Sequence, residues 1–122
     1  PDNAMYLKIR DGVGAVRQQQ GRPFDEGGER IAVSLLVAAK QAGLDRADHV
    51  VPNVGANPGD TYFVVQGDLR DPAHKRAQVS VAVAEQTPVV VSLQKLEVEN
   101  QRLAETQSQN QEQARSNGPR MS

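Results

Sequence analysis

Two histidines and the acids around them are the residues whose types could do chemistry. His49 follows Asp48 directly, and His74 lies shortly after Asp68 and Asp71. An Asp-His pair can orient a general base toward a serine, and Ser80 and Ser92 are the candidates. Such a nucleophile sits on a sharp, recognisable turn, and neither serine has one around it. A metal site needs three or four ligands with hydrogen-bonded partners behind them. His49 and His74 fall on different elements, and only scattered acids are available to complete a set. The acids of "GDLRD" (67–71) resemble a hydrolase pair, yet Gly67 is placed to turn the chain, Asp68 to support that turn and Asp71 to cap a helix. "GVGAV" (12–16) lacks the preceding strand and the Lys-Ser/Thr of a phosphate loop. No catalytic residue, cofactor or metal is therefore assigned. His49 is expected to cap or pack a sheet, and His74 to hydrogen-bond near a helix start. Arg70, Lys75 and Arg76 remain as a positive patch in the first turns of that helix, where the dipole disfavours them. That placement points to a use outside the domain.

The elements that would position these groups follow from periodicity. Met5, Ile9, Val13 and Val16 share one helical face, with Asp2 or Asn3 as cap and Gly21 after the end. Gly12 and Gly14 each weaken this helix by roughly 1 kcal/mol relative to Ala, so packing must hold it. Asp25, Glu26 and Glu29 open a second helix, striped by Ile31, Leu35, Leu36, Ala39 and Ala42 and ended by Gly43. The two form an antiparallel hairpin. "HVV" and "TYFVV" then read as strands across the turn-rich "NVGANPGD", with Pro52 marking an edge or an end.

Asp71 as N-cap and Pro72 at the first helical position predict a helix carrying Ala73, Ala77, Val81 and Ala84. "VSVAVA" (79–84) also alternates, so strand competes there. Thr87 is the expected cap of a last helix whose Val89, Leu93, Leu96, Asn100 and Leu103 make a heptad-like seam. Beyond Leu103 the sequence turns to Gln, Ser, Asn, Glu and Arg. Fraying near residue 105 and disorder after it are expected, since too little apolar surface remains to offset ordering entropy. The fold class is thus α+β: a helical hairpin, a two- or three-stranded antiparallel sheet, two further helices and a disordered tail. The boundaries are 1–104 for the domain and 105–122 for the Gln-rich tail.

Bulk properties narrow the partners. The chain has 122 residues, 38% hydrophobic, with two Tyr, two Phe, no Trp and no Cys, so the core must be aliphatic and free of disulfides. A formal charge of −1 argues against nucleic acid as main partner. No apolar run approaches the ~20 residues of a membrane span. The sequence opens on Pro1 with no signal-peptide pattern, as expected of a fragment from a longer protein.

"GLDRADHVV" (43–51), "YFVVQGDLRDPAHKRAQV" (62–79) and "TPVVVSLQKLEVENQ" (87–101), followed by the Gln-rich tail, resemble the XVIPCD. This is the C-terminal conserved domain of effectors of the Xanthomonadales antibacterial type IV secretion system. With the preceding helical pair the resemblance covers nearly the whole chain. Ala47, where the family has an apolar β-branched residue, and Pro52-Asn53 depart from the pattern and put the first strand's length in question.

The resemblance implies a non-enzymatic, monomeric secretion signal without cofactors. It would be bound in the bacterial cytoplasm by the all-α domain of a VirD-type coupling ATPase, then exported into the target cell's periplasm or cytoplasm. Toxic activity, such as a peptidoglycan hydrolase, lipase or nuclease, would lie upstream, and that toxin would have its own immunity protein. The partner-binding residues carried over are Asp48, His49, Tyr62, Phe63, Gln66, Asp71, His74, Lys75, Arg76, Thr87, Pro88, Ser92 and Leu93. The competing readings are an enzyme fragment and a helical module that self-associates through 89–103.

Overall fold

The computed structural model describes residues 2–117, with side chains through 109. Four helices flank one three-stranded sheet: α1 (Asp2–Gln19), α2 (Glu26–Gln41), β1 (His49–Pro52), β2 (Thr61–Gln66), β3 (Lys75–Ser80), α3 (Val81–Gln86) and α4 (Val89–Asn117). The class is α+β, as the periodicities predict.

Helix α2 is the hub. Its Ile31, Ala32, Leu35, Leu36 and Ala39 are buried, and it packs against α1, α3, α4, β2 and β3. Asp25 caps it by accepting a hydrogen bond from the Gly28 N–H at 3.2 Å. Met5, Ile9, Val13 and Val16 line the opposing face of α1, as their spacing requires. Each such aliphatic side chain contributes about 1.5–3 kcal/mol when fully buried. Gly12 explains itself here: a Cβ on it would come within 2.6 Å of Val50 Cβ, so α1 reaches β1 only because that atom is missing. A buried cation locks the hairpin to the later chain. Arg17, 2% exposed, donates to the Pro23 carbonyl at 2.8 Å, to Glu85 at 3.2 Å and to Asp25 at 3.3 Å.

The sheet is an antiparallel meander in the order β1-β2-β3. Its register sets Val50 opposite Val64 and Val64 opposite Ala77, and these with Tyr62 and Val79 face the helical core. Val51, Phe63, Val65 and Arg76 alternate to the other face.

Two expectations are corrected. The helix expected from Pro72 does not form; residues 75–80 are strand β3, and helix begins only at Val81, capped by Ser80. Asp71 shapes a turn instead, its Oδ1 accepting the Ala73 N–H at 2.9 Å while its carbonyl accepts the His74 N–H at 3.0 Å. An Asp-Pro pair serves a turn as well as a helix start. The free edge of β2 then decides, because pairing there satisfies the backbone and places Ala77 and Val79 in the core.

Thr87 likewise does not cap α4. Its hydroxyl donates back to the Val83 carbonyl at 2.8 Å and its N–H to that of Ala84, closing α3. Helix α4 continues past residue 105 to Asn117, with side chains 104–109 all exposed. The remainder of the expected tail, 118–122, lies outside the described residues.

Candidate functional site

Most residues singled out between 48 and 76 converge on one corner, where the loop before β1, the end of β2 and the turn before β3 meet. Hydrogen bonds fix it. Gln66 Oε1 accepts the backbone N–H groups of Asp45 (2.6 Å) and Arg46 (3.3 Å), tying the first loop to β2. Asp48 Oδ2 accepts the Gly67 N–H at 2.8 Å, and its carboxylate also receives Arg46 Nε at 2.9 Å. The Gly67 hydrogen bond is the main reason the Asp48 carboxyl sits below its usual 3.8, with Arg46 adding to it against a smaller desolvation. Gly67 itself has φ +110, and His74 Cβ would lie 3.4 Å from a Cβ added there. Only glycine takes that conformation freely. Asp68 turns back onto the Arg70 N–H at 2.9 Å, which holds its carboxyl low as well.

On the outer face of the sheet this corner borders a groove of about 330 Å³, with Val51, Phe63 and Val65 as floor and Leu69, His74 and Arg76 around them. Val65 is only 2% exposed yet stands apart from the main core cluster, which places it under this second, smaller apolar layer. The Arg76 guanidinium lies over the Phe63 ring, 5.4 Å from its centroid. His74 Nδ1 is buried without a hydrogen-bond partner, the one such side-chain atom among the described residues. An orphaned group of this kind costs about 1–3 kcal/mol, and native structures seldom carry one without a reason.

The remaining residues divide. His49 is exposed at the start of β1, on the same face as Val65 and Arg76. Lys75 is exposed at the start of β3. Tyr62 is fully buried in the core, its hydroxyl donating to Gln20 at 2.8 Å, so the aromatic side chain that the corner presents is Phe63. Burial raises the Tyr62 phenol above its usual 10.0.

Thr87, Pro88, Ser92 and Leu93 are not at this corner. Thr87 and Ser92 line a separate groove of about 310 Å³ between α2, β3, α3 and α4. Ser92 is 2% exposed, with its Oγ 3.5 Å from that of Ser34 on α2. The packed face of α4 carries Ser92, Leu96 and Glu99; Val89, Leu96, Asn100 and Leu103 of the expected seam are half-buried, whereas Leu93, 48% exposed, points away. Small Ser34 and Ser92 set that close approach, which a pattern of large apolar residues cannot reveal. Val51, Val65 and Leu69 were not foreseen in the groove. The available signal was "YFVV" itself, apolar at both parities, which predicts a strand covered on both faces.

Chemically, the corner offers cations, an imidazole and apolar floor, with its carboxylates already engaged. No group of three or more His, Asp or Glu side chains arranged to hold a metal ion occurs among the described residues. No described helix is long and apolar enough to cross a membrane. A protein-family model described as "X-Tfes, XVIPCD" matches residues 1–98. No curated protein matches the chain.

Proposed function

The chain belongs to the X-Tfes XVIPCD family, a secretion-signal domain of type IV effectors, and from that premise we propose that its folded part is bound by the all-α domain of the coupling ATPase through the 48–76 corner, with no chemical step. One observation supports this choice of surface above the others. Asp48 and Asp68 are each engaged by an arginine and a backbone N–H, and Asp71 by a backbone N–H, whereas Lys75 and Arg76 make no ion pair among the described residues. The corner thus spends its acids on its own rigidity and presents its cations. With a formal charge of −1 overall, recognition rests on such local anchors and not on a bulk field. Phe63, stacked under Arg76, supplies the apolar anchor.

Calorimetric titration of the chain with the isolated all-α domain tests this. The double charge reversal Lys75→Glu with Arg76→Glu should weaken binding about ten-fold or more, or about 1.4 kcal/mol. Circular dichroism should stay unchanged, and an effector carrying that domain should no longer be exported. Wild-type affinity in the folded double variant moves the interface elsewhere. Absence of binding by the unaltered chain removes the reading.

A further inference from the structure

The outer face of the sheet combines an apolar floor with a cation at its rim. We propose that it is a docking groove for a short acidic–aliphatic protein segment, whose aliphatic side chain enters over Val51 and Val65 while an adjacent carboxylate meets Arg76 at the rim. The inference rests on the reading of this corner as the contact with the coupling ATPase, and it names what that partner must bring.

Two observations converge. The floor is apolar although it faces away from the core, and Val54 at its mouth is 88% exposed. An apolar cleft with a few polar groups converging at its rim has the form of a small binding site. The charge is also one-sided. The neighbouring Asp48, Asp68 and Asp71 are held by Arg46, Arg70 and backbone N–H groups, which leaves Arg76 as an uncompensated cation at the rim. A volume near 330 Å³ fits one or two side chains and is small for a cofactor.

The experiment is a methyl NMR titration of the full chain with two probes. The first is the isolated all-α domain; the second is the peptide acetyl-Glu-Leu-Leu-Glu-amide, set against its neutral counterpart acetyl-Gln-Leu-Leu-Gln-amide. Expected are shifts of the Val51, Val65 and Leu69 methyls with the domain. Val54→Asp and Arg76→Gln should each weaken that binding about ten-fold. Val54 is so exposed that its replacement leaves the fold intact. If the domain binds but leaves these signals and both variants unaffected, the groove is not its site: this inference falls while the functional reading stands. If the domain does not bind at all, the functional reading falls and the peptides decide. Groove shifts with the acidic peptide, several-fold weaker with the neutral one, sustain the groove; no shift at millimolar peptide overturns it. The same methyls moving with chain concentration alone would identify a second copy as the occupant and overturn it too.

Discussion

At the scale of single residues, the corner depends on groups that look catalytic in the sequence and prove structural. Asp48 is the clearest, accepting from both Gly67 and Arg46. Its folded-state carboxyl lies below 3.8, so the stability it lends is present above that value and drains away as pH falls through the folded-state value. Asp48→Asn should therefore flatten the acid limb of a stability-against-pH curve, with denaturant midpoints between pH 2 and 5 as the measurement. An unchanged acid limb would show that the Gly67 contact contributes nothing. Gly67 offers a second check. At φ +110 a side chain is strained whatever space surrounds it, so Gly67→Ala should cost on the order of 1–3 kcal/mol by chemical denaturation. It should also disturb His74, whose Cβ the new methyl would touch.

At the scale of elements, propensity and packing disagree at Gly12, and packing should win. Gly12→Ala favours the isolated helix by roughly 1 kcal/mol. In the fold its methyl meets Val50 Cβ and Cγ2 at 2.6 Å, an overpacking that costs about 1–3 kcal/mol. A net fall in melting temperature is expected, and a rise would mean that α1 and β1 can separate freely. The same contest explains what the sequence could convey. The faces of α1 and α2 were legible because Met5, Ile9, Val13, Ile31 and Leu35 repeat at helical spacing and are all buried. Strand β3 was not, because Asp71-Pro72 opens turns and helices alike, and only the vacant edge of β2 separates the two. On α4 the expected seam holds at Leu96 and fails at Leu93, because the contact of Ser92 with Ser34 has no hydrophobic signature. Of the candidate site, the corner itself was legible in its block of motif residues. The apolar floor and the orphaned His74 nitrogen depend on which strand face points outward, and register supplies that.

At the scale of the whole molecule, the question is how the long last helix is held. Helix α4 packs through Leu96 together with small and polar groups, and the last interhelical side-chain tie described is a clasp at Asp2. There one carboxylate oxygen pairs with Lys40 of α2 at 2.9 Å and the other accepts from Asn100 of α4 at 2.8 Å. Partial burial pushes the Asp2 carboxyl up, but the hydrogen bonds from Lys40 and Asn100, together with the Lys40 charge, outweigh it, so the group lies below 3.8. Its ion pair and hydrogen bond thus stabilise the docked helix above that pH and are lost as pH falls through the folded-state value. After Leu103 the side chains through 109 are exposed, so the helix there has only its own hydrogen bonds and good helix formers to sustain it. Amide exchange should consequently fall into three zones: slow up to residue 99 where α4 packs, intermediate from the clasp at Asn100, and fast from about residue 105 onward. Asn100→Ala should move the boundary of fast exchange toward the N-terminal end by about one turn while leaving α1 and α2 protected, because the clasp joins α4 to a hairpin that is already complete without it. Acidification below 3.8 should reproduce that shift in the unaltered chain and add little to the variant. Uniform slow exchange through 109 at neutral pH would mean that α4 is held by something other than these contacts.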